Sequence, residues 1–277
     1  MKFFVLKSLA LAAALAGQAN AAVITVTPAD MSASPALNAW YLTNLRGTQN
    51  GYTSTTAAGI TASAPRSGNG SVAMSLTDGS GKADFAYYWG FVGGRTLGTL
   101  DALSYDWYRN SGAGAPAHLQ PALRLAYDTD GDSRTTTDRG YLVWEQVYNG
   151  GGMVTGQWNS SNIVDGNFWQ RQTSPGNTVE DYSTTLAEWM NGPRPAGPAD
   201  QLSAATAITG IEFGIGSGWN GSFGGFVDNV GFGFGNQKTV FNFETAPAAA
   251  AVPEPGSTLL FALGLAGFGA TRLRRRS

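Results

Sequence analysis

The chain has 277 residues, with 17 Lys+Arg, 19 Asp+Glu, one histidine and no cysteine, and a formal net charge of −2. Without cysteine there is no disulfide framework, no thiol nucleophile and no cysteine metal site. With His118 as the one histidine, a zinc site of several histidines is excluded, and any Ser-His-Asp triad would have to use that residue.

Residues 1–21, MKFFVLKSLALAAALAGQANA, have a basic start (Lys2, Lys7), a short apolar core from Leu9 to Ala16, and small residues Ala19 and Ala21 before the next position. This is the pattern of a secretory signal peptide, and it predicts cleavage by signal peptidase before Ala22. Setting the two charged ends aside leaves 11 basic and 18 acidic residues, a balance near −7. Such a body argues against nucleic acid as a partner and suits cations and neutral glycans.

Residues 22–245 read as one all-β domain. Short alternating runs lie between Gly, Asn, Asp and Pro clusters, which predicts a β-sandwich of jelly-roll-like type. Strands are predicted at 23–27, 71–76, 83–89, 103–108, 122–127, 141–148, 208–215, 225–234 and 239–243. In LSYDWY, Leu103, Tyr105 and Trp107 share one face. YLVWEQVY carries substantial side chains on both faces, which predicts a central strand. One short helix is predicted in STTLAEWMNGP, where Thr185 and Glu188 form a capping box and Asn191-Gly192-Pro193 ends the turn. The proline-rich stretch 191–202 reads as a loop.

Three stretches carry candidate chemistry. DTDGD sets Asp128, Asp130 and Asp132 in alternation, with Asp138 beyond, so a tight loop could turn several carboxylates onto a hard cation such as Ca2+. It is not an EF-hand, because glycine stands at the fourth loop position and Arg139 at the twelfth. The bland alternative is a polar hairpin turn. GQWNSSN, GNFWQRQ and GSGWNGS read as loops presenting tryptophan among small polar residues, a composition that suits a sugar site. Trp158, Trp219 and Asn220 are the ligand-binding candidates, against ordinary packing of tryptophan in a core. No catalytic residue is assigned: Glu145, Glu180, Glu188 and Glu212 show none of the clustering that paired-carboxylate glycosidases use.

GGFVDNVGFGF at 224–234 is the third stretch. Its Val227-Asp228-Asn229-Val230 resembles the closing strand of jelly-roll carbohydrate-binding modules and related galactose-binding-like sandwiches. That resemblance implies a part for Asp228 in holding a structural calcium.

After the APAAAA tether at 246–251, the end of the chain has three parts. Pro253, Glu254 and Pro255 form an extended turn, since proline disfavours helix at the residue before it. Gly256 to Thr271 carries no charge, and sixteen residues in a helix span roughly 24 Å. Leu273 and the arginine stems extend it, so 256–273 is expected to cross the membrane. Arg272, Arg274, Arg275 and Arg276 then hold that end on the cytoplasmic side. The order of these parts over 252–277 resembles the PEP-CTERM sorting signal, also labelled the ice-binding protein C-terminal domain, a label that does not imply ice binding. The resemblance implies an exported protein of a Gram-negative bacterium. It would be held at the inner membrane on the periplasmic side, cut near the Pro-Glu-Pro by an exosortase, and then moved to the cell surface or beyond. It also implies a link with exopolysaccharide and biofilm.

The sequence thus predicts a non-catalytic exported sandwich that associates with exopolysaccharide, with calcium steadying its loops. A glycan-active hydrolase or lyase on the same fold would need two carboxylates facing each other in an aromatic-lined cleft. A purely structural envelope protein would bury Trp158 and Trp219 and have no groove.

Overall fold

The structure is a computed structural model that describes residues 21–46, 56–173, 178–179, 181–191 and 201–247. The predicted signal peptide and sorting tail lie outside the described residues, apart from Ala21. Among the described residues no helix is long and apolar enough to cross a membrane. The chain divides at Ala246/Pro247 into two units, and every strand named below belongs to the first.

The elements run in the order β1 (Ala22–Val26), β2 (Trp40–Arg46), β3 (Thr56–Thr61), β4 (Ser71–Leu76), β5 (Lys82–Tyr88), β6 (Leu100–Arg109), β7 (Ala122–Asp128), β8 (Arg139–Trp144), β9 (Trp158–Asn162), β10 (Phe168–Gln172), β11 (Thr178–Val179), α1 (Leu186–Met190), β12 (Ala207–Gly216), β13 (Phe223–Phe234) and β14 (Gln237–Phe243). They form two seven-stranded sheets. One has the order β11-β10-β8-β7-β12-β5-β2. In the other, β13 has β6 and then β9 on one side, while its other edge is shared between β4-β3 and β14-β1. The jelly-roll-like sandwich with one short helix is therefore the architecture found.

Alternation builds the core. Leu103, Tyr105 and Trp107 of β6 point inward, opposed by Leu123, Leu125 and Tyr127 of β7 and by Ile211, Phe213 and Ile215 of β12. Trp40 sits at one centre of this packing, with ring centroids 5.4, 5.3 and 5.2 Å from Phe213, Phe241 and Phe243. Each such fully buried Leu or Phe contributes roughly 1.5–3 kcal/mol relative to exposure.

β13 shows how one strand serves both sheet halves. Its register slips between Asp228 and Gly231, with Asn229 at φ 49°, so Val227 and Val230 both reach the core. This is a bulge, and Asn is one of the few residues that tolerates that conformation. Gly231 and Gly233 are required by close approach, as a Cβ would lie 2.7 Å from Ser104 Oγ and 2.8 Å from Asp101 Oδ1.

The helix forms where its cap predicts. Thr185 Oγ1 accepts from Glu188 N–H, and Thr185 N–H donates to the Glu188 carboxylate at 2.8 Å. Its apolar anchor is Trp189, buried, whose Nε1–H donates to the Phe168 carbonyl at 2.8 Å.

Two expectations are corrected. The strand predicted over 141–148 ends at Trp144, and Gln146–Tyr148 forms a 3-10 turn held by Tyr148 N–H to the Glu145 carbonyl at 3.2 Å. GQWNSSN and GNFWQRQ are not wholly loops: β9 and β10 run through them because β6 and β8 offer them antiparallel partners.

Candidate functional site

The outward face of the sheet containing β12 is unusual in what it carries. On β5, β7, β12 and β8 the residues that alternate with the core are, apart from Val143, polar, aromatic or very small. Tyr41, Ala86, Glu212, Arg124, Val143 and Trp169 stand directly opposite one another on six successive strands. At the ~4.8 Å strand spacing this row spans about 24 Å. Tyr88, Gly210, Ala126, Tyr141 and Arg171 form the next row.

A charge network lies across these rows. Arg124 bonds Asp84 at 2.6 Å and approaches Glu212 at 3.5 Å. Asp84, fully buried, also pairs with Lys82 at 3.0 Å and accepts from Asn44 Nδ2 at 2.7 Å. Glu212 Oε1 accepts from the hydroxyls of both Tyr88 and Tyr141, the latter at 3.2 Å. Burial opposes charge on Asp84, but Arg124 and Lys82 outweigh it and hold its carboxyl below the usual range. At Glu212 burial wins over Arg124, and the carboxyl is pushed up. Burial, followed by the charge of Glu212, also raises the Tyr88 and Tyr141 hydroxyls, which therefore remain donors.

Two glycines of β12 make room for this network. A Cβ on Gly210 would lie 2.4 Å from Tyr88 Cδ1, and one on Gly214 would lie inside the Asp84 carboxylate. Tyr88 and Asp84 can lie flat across the sheet because β12 is bare on either side of Glu212.

Beyond Tyr88 and Tyr141 the face opens into a groove of about 400 Å3, walled by Leu37, Tyr41, Phe91 and Arg139. Leu37 is 64% exposed and Phe91 42% exposed. The Arg139 guanidinium lies 5.5 Å from the Phe91 ring centre and bonds Asp128 at 2.7 Å. Such a volume, with aromatic walls and a few fixed polar groups, is that of a small-ligand cleft. At the far end of the face, Trp169 Nε1–H donates to Glu145 at 2.9 Å, and Tyr182 stacks on Tyr148 at 4.0 Å. Burial raises the Glu145 carboxyl as well.

The residues singled out from sequence fall in four places. Asp128, Asp130 and Asp138 come together, with one carboxylate oxygen from each within 4.8 Å of the others. Asp132 is turned away onto Arg134, at 2.7 Å. Asp128 already holds Arg139 and the Gly131 N–H, while Asp138 Oδ1 has no hydrogen-bond partner among the described residues. Asp228 lies in the other sheet, fully buried, accepting from Phe243 N–H at 2.9 Å and Ser67 N–H at 3.2 Å. Burial, reinforced by Glu244, raises its carboxyl to about 6. Trp158 is on the outer face of that same sheet, whereas Trp219 and the exposed Asn220 are in the loop after β12, with Trp219 against Phe223 at 4.9 Å. Both tryptophans are half-buried. Tyr41, Tyr88, Phe91 and Tyr141, which line the groove, were not singled out, nor was Arg124 of the adjoining network, while Glu212 was weighed as a carboxylate and set aside. The signal for them was the outward set of the alternating runs in ADFAYYWG and YLVWE.

Comparison with known proteins bears on the tail and on the body differently. Residues 251–276 match the PEP-CTERM protein-sorting motif. The tail carries a PEP-CTERM sorting signal. That signal implies export, anchoring at the membrane and processing by an exosortase. No curated protein matches the chain. Among solved structures, the family 11 carbohydrate-binding module from Clostridium thermocellum, in complex with a β-1,3-1,4-mixed-linked tetrasaccharide, is 13% identical with a TM-score of 0.35, over 69% of this chain and 85% of that one. The family 11 module of the cellulosomal cellulase Lic26A-Cel5E of the same organism is 14% identical with a TM-score of 0.34, over 68% and 83%. A β-1,2-glucanase from Parabacteroides distasonis is 13% identical with a TM-score of 0.33, over 64% of this chain and 21% of that one.

Proposed function

We propose that this PEP-CTERM protein is a non-catalytic glycan-binding sandwich of the cell surface or extracellular matrix, and that the groove beside Tyr88, Phe91 and Tyr141 is its binding site. The observation that carries the reading is the exposure of Leu37 and Phe91 at the mouth of an aromatic cleft. Apolar side chains gain nothing from water there, and the ring faces of sugars would cover them. Arg139 supplies N–H donors for sugar oxygens at the wall of the groove. Signal peptidase and exosortase would process the two ends, leaving the sandwich in contact with exopolysaccharide and biofilm. The test is electrophoresis through gels containing neutral polysaccharides. Retardation of the full chain, reduced about tenfold or more in affinity by Phe91→Ala, is the expected result; equal mobility in all gels would refute the reading.

Calcium belongs to the same proposal as a stabiliser of the 128–138 loop, through Asp128, Asp130 and Asp138. Three carboxylates within reach of one hard cation fit calcium's preference for oxygen ligands. A melt in calcium against EDTA should show a rise that Asp130→Ala removes. An unchanged melting temperature would reduce the loop to a turn.

A glycan-active enzyme on the same face has one observation in its favour. Glu212, buried, and Glu145, half-buried, are carboxyls with raised proton affinity beside aromatic rings. Glu212, however, is tied to two tyrosines and Arg124, which suits a floor better than an attacking group.

A further inference from the structure

The opposite face of the sandwich has an aromatic feature of its own. Trp158 of β9, Tyr108 of β6 and Phe226 of β13 stand directly opposite one another on three adjacent strands. Tyr108 and Phe226 alternate with core residues and Trp158 stands opposite Tyr108, so their rings lie on the outer surface, half-buried. Tyr108 is the hub, with ring centroids 5.8 Å from Trp158 and 5.6 Å from Phe226. The same row then drops to Ala73 on β4 and Gly59 on β3. Beside Phe226 this leaves a trough of about 360 Å3, rimmed by Thr61, Ser75 and Asn110.

Gly59 is the informative residue. Gly225 is demanded by packing, since a Cβ on it would lie 2.5 Å from the Tyr108 carbonyl, and a Cβ on Gly224 would displace the Asn110 amide. A Cβ on Gly59 would meet nothing within 4 Å, and its φ is not positive. Glycine weakens a strand, and nothing among the described residues accounts for it here. The bare floor is open to something lying on it.

The chemistry of that occupant follows from the lining. Arg66 and Asp106 at the edge of this face neutralise each other at 2.9 Å, and Arg66 also bonds Ser160. What remains is aromatic surface whose rings meet edge to face, the hydroxyls of Thr61, Ser63 and Ser75, and the Asn110 amide. This matches a neutral, hydroxyl-rich ring in its charge as well as its polarity, and offers no cation for an acidic sugar.

We infer that the Trp158–Tyr108–Phe226 platform and the trough beside it form a second site for neutral glycan, so that the sandwich cross-links polysaccharide chains. The inference rests on the glycan-binding reading of the groove. The two sites lie on opposite outer faces of the sandwich, so one chain segment cannot occupy both. Each protein molecule then joins two strands of matrix, and binding to a long polymer gains avidity from the pair.

The experiment uses the full chain in mild detergent, with soluble mixed-linkage β-glucan and galactomannan as neutral probes and alginate as an acidic one. Light scattering follows cross-linking, and gel retardation follows binding. The wild type should raise scattering with a neutral polymer, and excess protein should lower it again. Trp158→Ala should abolish the scattering rise while keeping retardation through the groove. Gly59→Val, which fills the trough with a good strand former, should do the same without lowering the melting temperature, and Trp158→Phe should restore cross-linking. If Trp158→Ala and Gly59→Val scatter like the wild type while Phe91→Ala loses retardation, the platform is refuted and the groove stands. If the wild type is retarded by none of the polymers, both fall. Scattering without polysaccharide that vanishes in Trp158→Ala would make the platform a contact between copies, and overturn the inference.

Discussion

Asp228 is the residue whose environment makes the clearest demand on the fold. It is fully buried, and its oxygens are met by the N–H groups of Phe243 and Ser67. Burial raises its carboxyl to about 6 from 3.8, so the folded protein holds a proton that the unfolded chain has released. A raised carboxyl adds stability at low pH, which is lost as pH rises through 6. Between pH 5 and pH 7 this loss should be about 1 kcal/mol, or roughly 2–4 °C in melting temperature for a domain of this size. The wild type minus Asp228→Asn difference should show it; a difference that does not change with pH would contradict the assignment. Asp84 behaves oppositely, since its depressed carboxyl matters only once the pH falls below the ordinary carboxylate range. The sequence marked Asp228 through its neighbours but gave no hint of Glu244 beside it, because that proximity comes from the pairing of β13 with β14. Likewise the part of Gly210 is invisible until Tyr88 is seen lying over it.

Elements were legible where alternation was clean. β4, β5, β6, β7, β12, β13 and β14 could be read because apolar residues recur every second position and face one core. β3 and β9 could not. TAAGIT breaks its β-branched residues with Ala57, Ala58 and Gly59, and WNSSN has no β-branched residue at all. They are strands because β4 and β6 give them partners, a tertiary effect no local window contains. β10 was obscured for another reason: Gln170 and Gln172 occupy its inward positions, with Gln170 Nε2 donating to Tyr127 at 2.9 Å. α1 shows the reverse case, a five-residue helix legible from its cap alone. Thr185→Ala should cost about 1 kcal/mol, read from urea denaturation midpoints at unchanged slope. A cost near zero would mean that Trp189 packing alone fixes the turn.

At the scale of the molecule, the two sheets separate two kinds of surface from one shared core. The sheet with β12 carries a charge network beside an aromatic groove, while the other presents an aromatic cluster over a neutral trough. The sequence put its sugar candidates at Trp158 and Trp219; the proposed groove is built mainly of tyrosines, Phe91 and Leu37, contributed by strands and by the segments that precede and follow them. The tail was the most legible part, because a sorting signal is read from the chain itself and needs no fold. The measurement that tests the central claim most directly is a hydrogen–deuterium exchange footprint of the full chain with a soluble neutral polysaccharide that retards it. Slowed exchange at residues 35–41 and 88–92, together with 139–141, is the predicted result. Retardation with exchange unchanged in those three segments would contradict the account and move the glycan off the groove.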